Sequence, residues 1–279
     1  LKGTFIIWDR IALGDSVEIF KGKPHVPMAG ATAVPTLYVF DKKRMTVTPF
    51  FSNEDQFAPK DGNILGILLS PDKSHICLTV ARPLSKGGIS CDLVLLCIAD
   101  RSSEIIVDDG WNNDYPAFSP DGKQIAYYAN DPTIAMHGDR AIPLAAGRVV
   151  DLQSKRIRTF AEPFLSRDEL VAGYPPKWLD EKRVVFCTRS TNREKIQGQL
   201  GDFAGDSSAC AVLANTESGE SKYVFVPQAA TMLAATIDEK FHRIIFSDMK
   251  IVLQTDMSLE SVSILKEVDS RHHISNYKI

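Results

Sequence analysis

The sequence lacks the features that define several common functional classes. Its 279 residues contain no apolar run near the roughly 18 residues that a membrane-spanning helix needs. The formal net charge of −3 offers no basic excess for nucleic acid or an anionic membrane. No strong amphipathic helix is visible, and the best candidate, Pro163–Leu170, is only one or two turns long. The sequence therefore predicts an all-β protein with no membrane span and no nucleic-acid partner.

Motifs for nucleophilic or nucleotide-dependent chemistry are also missing. There is no Gly-x-Ser-x-Gly elbow, no Walker loop and no dinucleotide fingerprint. The five cysteines are an odd number without a CxxC pair, which leaves zinc and redox motifs unsupported. Three of them lie in apolar strand-like runs and read as small core hydrophobes: Cys77, Cys97 and Cys187. We predict no catalytic residue, metal or cofactor.

The sequence does contain short strand-like runs and a repeated turn. Runs rich in Val, Ile, Phe and Tyr alternate with clusters of Gly, Pro, Asp and Asn. Four segments share an apolar strand, a tight polar turn with an aspartate, and a second apolar strand. The turn aspartates are Asp72, Asp121, Asp180 and Asp238. Because aspartate hydrogen-bonds its own backbone in turns, we interpret these residues as turn formers rather than as an acidic ring.

The repeat continues with two further strands, which gives four strands per unit. At the N-terminus, Thr4–Asp9 resembles a second strand that lacks its first. At the C-terminus, Ile274–Ile279 resembles a first strand that lacks its second. We therefore predict one domain, 1–279, that forms a β-propeller of four-stranded blades closed by N- and C-terminal strands sharing one blade. Five blades are expected, or six if the insertion Ser16–Ala33 hides another blade.

The stretch Tyr115-Pro-Ala-Phe-Ser-Pro-Asp-Gly-Lys-Gln-Ile-Ala-Tyr-Tyr128 resembles the repeat of TolB-like β-propellers, the PD40 or WD40-like repeat. Leu68–Leu78 is similar, whereas Tyr174–Phe186 and Met232–Phe246 keep only the turn acid. The resemblance implies a propeller with a central tunnel, whose faces bind proteins or peptides in some members and gate or cap hydrolase domains in others. It favours a periplasmic or secreted location. The count of five blades departs from the family's usual six or more.

The most functional-looking loop is Asp108-Asp-Gly-Trp-Asn-Asn-Asp114, which leads from the outer strand of one blade to the inner strand of the next. Such linkers lie near the tunnel mouth of a propeller. An aromatic residue flanked by amides and carboxylates suits a protein interface. The predicted binding residues are Trp111, Asn113 and Asp114, with Tyr174 from an equivalent linker. The alternatives are an exposed linker with Trp111 packed on a neighbouring blade, and a cation site without EF-hand spacing.

These observations favour a non-catalytic scaffold that binds a protein or peptide partner. One alternative is a five-bladed glycoside hydrolase, which would need two facing carboxylates, with Asp9, Asp114 and Glu169 as candidates. A second alternative is an accessory propeller of a larger hydrolase. The adjacent residues His272 and His273 would point to opposite faces of a strand, so they are not expected to share a metal ion.

Overall fold

The computed structural model describes residues 5–24, 36–51, 63–83, 89–137, 140–165, 175–190, 194, 197–198, 208–225, 234–247, 251–258 and 262–267. Across these ranges the structure is all-β with almost no helix, as the sequence predicts. None of the helices in these ranges is long and apolar enough to cross a membrane. The chain divides into two compact units, Leu1–Pro116 and Ala117–Ile279.

The first unit contains two antiparallel sheets, each with its strands in chain order. The strands of the first sheet are β1 (Phe5–Ala12), β2 (Val17–Pro24), β3 (Thr36–Asp41) and β4 (Thr46–Pro49). Those of the second sheet are β5 (Asn63–Leu69), β6 (His75–Pro83), β7 (Ile89–Cys97) and β8 (Ser103–Val107). After β8 the chain returns to β7, where Asn112 forms a parallel pair with Cys91.

The second unit follows the same meander. The strand that crosses into it is β9 (Asn112–Phe118), and its hairpin is closed by the backbone bond from Ser119 N to Gln124 O at 2.9 Å. Antiparallel strands β10 (Gln124–His137), β11 (Arg140–Asp151) and β12 (Ile157–Leu165) follow. The last two sheets contain β13 (Lys177–Trp178), β14 (Arg183–Ser190), β15 (Ser208–Asn215) and β16 (Ser221–Phe225), then β17 (Ala234–Asp238), β18 (Arg243–Ser247), β19 (Ile251–Asp256) and β20 (Val262–Glu267).

Among the described residues, β1 is the edge strand of its sheet and pairs with β2, which occupies part of Ser16–Ala33, the segment interpreted as an insertion. The turn between them is closed by Leu13 N and Val17 O at 2.9 Å, and it contains Gly14 and Asp15 without the Ser-Pro signature. The predicted role of Thr4–Asp9 as a second strand depends on a further strand beside β1 and stays a prediction. The predicted closing strand Ile274–Ile279 lies outside the described residues.

The interpretation of the repeat aspartates as turn formers is confirmed for three of the four. Asp121 Oδ1 accepts hydrogen bonds from Ser119 Oγ at 2.7 Å and from Lys123 N at 3.1 Å. Asp180 Oδ1 accepts from Lys182 N at 2.9 Å and from Arg183 N at 2.8 Å. Asp72 Oδ1 likewise accepts from Ser74 N at 3.0 Å, so these three carboxylates satisfy donors that the tight turns would otherwise leave open. Asp238 differs, because its Oδ2 atom accepts from the Arg243 side chain and its carboxylate does not cap the backbone of its turn.

A second repeated turn joins the third and fourth strands, and the sequence did not reveal it. It begins at Asp41, Cys97, Asp151 and Asn215, and the fifth residue of each turn has a positive φ: Met45 (51°), Arg101 (62°), Lys155 (58°) and Gly219 (84°). The residue after each start donates its backbone N–H to a carbonyl in the preceding strand–strand turn: Ser16, Ser74, Lys123 and Lys182. In each of these four cases a backbone hydrogen bond therefore links the two neighbouring turns at this end of the strands.

Each unit has an apolar cluster built from several of its sheets. In the first unit the cluster comes mainly from β2, β3, β5, β6 and β7, and it includes Ile19, Leu37, Ile76 and Leu96. In the second unit it comes from β14 to β18 and includes Cys187 and Phe246. All five cysteines are free and Cys97 is half-buried, whereas the other four are buried. The prediction of core cysteines is thus confirmed for Cys77 and Cys187 and only partly for Cys97.

Removing the hydroxyl of Tyr128 should destabilise the protein. This hydroxyl is buried, donates to Cys187 O at 3.0 Å and accepts from Cys187 N at 2.9 Å. Tyr128→Phe leaves both backbone groups without that partner, so we expect a loss of about 1–3 kcal/mol in the free energy of unfolding. Urea denaturation measures it, with Tyr223→Phe as a control whose bond is longer, 3.4 Å, and less buried. Equal losses in the two variants would contradict the role assigned to Tyr128.

Met45 is a position where glycine should be better than the native residue. Its side chain is 75% exposed and its φ is 51°. A side chain in this left-handed region costs roughly 1 kcal/mol, which glycine avoids. Met45→Gly should therefore raise the urea midpoint, whereas Met45→Ala, which keeps the strained backbone, should not. A lower midpoint for the glycine variant would show that the conformation costs nothing here.

The turn carboxylate of Asp72 should make the stability depend on pH in strong acid. Hydrogen bonds from Ser70 and Ser74 lower the pKa of Asp72 to about 2. A lowered pKa in the folded state stabilises the protein above the pKa of the unfolded chain, about 4, and this contribution disappears as pH falls towards 2. Asp72→Asn should reduce the difference between urea midpoints measured at pH 6 and pH 2.5. An unchanged difference would assign the acid sensitivity to other carboxylates.

Candidate functional site

Three of the four predicted binding residues lie together in the first unit: Trp111 on the loop between β8 and β9, and Asn113 and Asp114 at the start of β9. Strand β8 pairs with one edge of β7 from Leu96 to Leu93. The chain then turns back, and Asn112 at the start of β9 pairs with the same edge of β7 at Cys91. Gly110, with a φ of 77°, permits the sharp reversal between the two strands. Trp111, Asn113 and Asp114 thereby follow directly on the exposed carboxylates of Asp108 and Asp109. We call residues Asp108–Asp114 the junction loop.

The junction loop is fastened to β7 by Asn113, whose side chain is fully buried. Its Nδ2 atom donates to Cys91 O at 2.9 Å and to Asp109 Oδ1 at 2.9 Å. Cys91 N donates in turn to Trp111 O at 3.0 Å, and Trp111 N donates to Asp109 Oδ1 at 3.1 Å. Asn113 is therefore mainly a positioning residue, whereas Trp111 keeps a partly exposed ring at the surface of the loop.

An ion-pair cluster that the sequence did not predict lies under the junction loop. Arg82, at the end of β6, places Nε 2.5 Å from Asp92 Oδ2 and Nη2 2.6 Å from Asp108 Oδ1. Arg82 thus bridges the carboxylates of Asp92 and Asp108. Asp92 is fully buried, and burial raises its pKa while Arg82 acts in the opposite direction. The sequence signal was a lone aspartate within the apolar run of β7, where a charge needs a partner.

Asp114 occupies a strained and desolvated position at the end of the loop. Its Oδ1 atom accepts a hydrogen bond from Tyr115 N at 2.8 Å, and burial raises the pKa of its carboxyl. Tyr115 has a φ of 53°, which is uncommon for a bulky residue and concentrates at functional sites. Burial raises the pKa of the Cys91 thiol to about 12, and the negative charge of Asp114 contributes to this rise. The thiol therefore stays protonated at neutral pH.

The other sequence candidates do not join this group in the described residues. Tyr174, Glu169, His272 and His273 all lie outside those residues. Asp9 lies in the first sheet, where its Oδ2 atom accepts from Ile67 N at 3.3 Å. Among the residues that the structure describes, no group of three or more His, Cys, Asp or Glu side chains could hold a metal ion.

The junction loop and the residues beneath it combine negative charge with open acceptors. Asp92, Asp108, Asp109 and Asp114 supply four carboxyl groups, of which Arg82 pairs with two. Within the described part of the chain, Asp92 Oδ1 and Asn113 Oδ1 are buried without a hydrogen-bond partner. Such an arrangement suits a ligand that carries donors or positive charge rather than an anion.

No family model matches the chain, and no curated protein is significantly similar to it in sequence. Solved structures do match. A structure from an analysis of two prolyl endopeptidases matches at a TM-score of 0.57 and 11% identity, over 96% of this chain and 37% of the matched chain. An oligogalacturonate lyase in complex with manganese matches at a TM-score of 0.55 and 12% identity, over 91% of this chain and 62% of the lyase.

TolB from Acinetobacter baumannii also matches, at 18% identity over 84% of this chain and 49% of TolB. Its TM-score is 0.43, so the fold is inferred from the prolyl endopeptidase and lyase structures, whose TM-scores are 0.57 and 0.55. Both are propeller enzymes, and at these identities the similarity concerns the fold alone. This chain spans less than two thirds of each of these proteins. The comparisons thus support a propeller-like all-β fold for the chain.

Proposed function

We propose that the chain is a β-propeller of four-stranded blades that acts as a binding scaffold for a protein or peptide, with the junction loop as a contact surface. Within the described residues, twenty strands in consecutive groups of four support the blades: β1–β4, β5–β8, β9–β12, β13–β16 and β17–β20. These groups favour five blades, and the terminal segment Ile274–Ile279 that would share a blade with β1 lies outside those residues. Membership of the TolB-like family rests on the repeat in Tyr115–Tyr128.

One observation carries the binding proposal. The junction loop is held by buried polar contacts of Asn113 and Asp109, yet Trp111 and the carboxylates of Asp108 and Asp109 remain accessible. A loop ordered before binding loses little conformational entropy when a partner docks. A tryptophan with polar neighbours is a common centre of protein interfaces. The ordered support and the partly exposed ring together suit recognition of a partner.

The test is a peptide selection that depends on Trp111. We expect random peptides displayed on phage to be enriched on the immobilised chain, and the enriched peptides to bind Trp111→Ala at least tenfold more weakly, because the ring supplies most of the contact area. Fluorescence anisotropy measures the affinities, and thermal unfolding checks the fold of the variant.

The matched control is Phe241→Ala, which removes another exposed aromatic ring, 60% exposed, from the second unit. Its affinity for the same peptides should stay within twofold of the native chain. Peptides that bind Trp111→Ala as well as the native chain would refute the junction loop as the contact surface. A lower melting temperature of Trp111→Ala with unchanged peptide affinity would assign the ring to packing.

A second candidate function is supported by the share of the neighbours that the chain covers. The match to the prolyl endopeptidase structure takes 96% of this chain but 37% of the matched chain, and the match to dipeptidyl peptidase 4 of Porphyromonas gingivalis takes 91% and 38%. The same fold therefore occurs as one part of larger peptidases, and this chain could accompany a catalytic domain in the same way. An antibody raised against the chain would detect a band well above 30.8 kDa in the source cells. A band at that mass would refute this candidate.

A further inference from the structure

A buried carboxylate lies beneath the junction loop with more negative than positive charge around it. The Asp92 side chain is fully buried, and its Oδ1 atom has no hydrogen-bond partner among the described residues. Its Oδ2 atom lies 2.5 Å from Arg82 Nε, but the same guanidinium also pairs with Asp108. An ionised Asp92 is therefore poorly compensated, because burial penalises the charge and one guanidinium is shared between two carboxylates.

The surroundings of Asp92 favour its neutral form. Desolvation by burial is the largest effect, and it raises the pKa of Asp92 in spite of the opposing charge of Arg82. The negative charges of Asp108 and Asp109 add to this rise from the junction loop. The charged and titratable groups around Asp92 and its neighbour Cys91, in the described residues, are Arg82 of β6, the Cys91 thiol of β7, and Asp108, Asp109 and Asp114 of the junction loop.

The position of the loop and the protonation of Asp92 depend on each other. While the loop is docked on β7, the charges of Asp108 and Asp109 act on Asp92. When the loop leaves β7, both charges move away, and Arg82 is left to Asp92 alone. The pKa of Asp92 is therefore higher with the loop docked than with the loop released, so by linkage a proton on Asp92 favours the docked loop. That proton needs no permanent channel, because it can enter during a transient release of the loop.

We propose that mild acid fastens the junction loop more firmly to β7 through protonation of Asp92. Because the pKa of Asp92 is raised in the docked state, the extra hold is complete below the pKa of the released state. It is lost as pH rises through the pKa of the docked state. This dependence is opposite to that of Asp72, whose contribution to stability is lost in acid. The inference goes beyond the proposed function, since it concerns the chain without any partner.

Hydrogen exchange of the Cys91 backbone amide tests the inference, because this amide donates to Trp111 O in the docked loop. We expect its protection factor, corrected for the intrinsic effect of pH on exchange, to rise about threefold or more from pH 7.5 to pH 4.5. Asp92→Asn keeps the size of the side chain but does not titrate, so the rise should disappear. The control Glu104→Gln removes an exposed carboxylate from β8 and should retain the rise. Both variants keep every histidine, so titration of histidine cannot explain a difference between them.

A second measurement follows the titration of Asp92 directly in the native chain. The NMR shift of its carboxyl carbon should change with a midpoint above the usual value for aspartate, about 4. Asp108→Asn removes a negative charge and leaves Arg82 to Asp92, so this midpoint should fall by about half a pH unit or more. The titration of the native chain does not depend on folding of any variant.

Four results would overturn the inference: a native Asp92 midpoint at or below the usual value, an Asp92 midpoint unchanged by Asp108→Asn, a Cys91 amide whose protection does not rise in acid, or an equal rise in Asp92→Asn. Neither measurement uses a peptide. A failed phage selection therefore leaves this inference standing, and a failure here leaves the scaffold function standing.

Discussion

The structure of the second unit depends on satisfying backbone groups where two sheets face one another. The hydroxyl of Tyr128, on β10, bonds both the N–H and the C=O of Cys187, on β14. The Tyr128 ring meets Phe186 edge to face, with centroids 5.8 Å apart. Gly147, on β11, makes room for this contact, because a Cβ atom there would lie 2.7 Å from the Phe186 ring. The two hydrogen bonds of one hydroxyl and the absence of a side chain at Gly147 thus fix how closely these two sheets approach.

Other sheets use the same principle with different side chains. Trp178 Nε1 donates to Ala117 O at 2.9 Å, and Ser221 Oγ donates to Phe160 O at 3.0 Å. In the first unit the buried Lys21 ammonium donates to Leu65 O, and burial lowers its pKa. Side chains that donate to the backbone of a neighbouring sheet add direction to apolar packing, which has none of its own.

The sequence predicted what local chemistry determines and missed what depends on tertiary context. The turns at Asp72 and Asp121 were readable because serine, aspartate and a tight turn recur together. The turn at Asp15 was not, since it lacks that signature, and β2 was consequently mistaken for part of an insertion. The second repeated turn was hidden for a related reason: its left-handed position holds Met45, Arg101 and Lys155, and only Gly219 has the residue that such a conformation favours. Trp111 and Asp114 were found from composition, whereas Arg82 and Asp92 come from strands that are distant in sequence from the loop.

The junction loop is held in place by polar atoms that lie directly behind its proposed contact surface. The Asn113 amide nitrogen donates to Cys91 O and to Asp109 Oδ1, and these hydrogen bonds order the loop. The amide oxygen is buried and accepts no hydrogen bond from the described residues. Arg82 reduces the repulsion beneath the loop by pairing with Asp92 and Asp108, and it leaves the carboxylates of Asp109 and Asp114 outside those ion pairs. The hydrogen bonds of Asn113 and the ion pairs of Arg82 therefore fix the junction loop on β7 from two sides, one through the backbone of Cys91 and one through the carboxylates of Asp92 and Asp108.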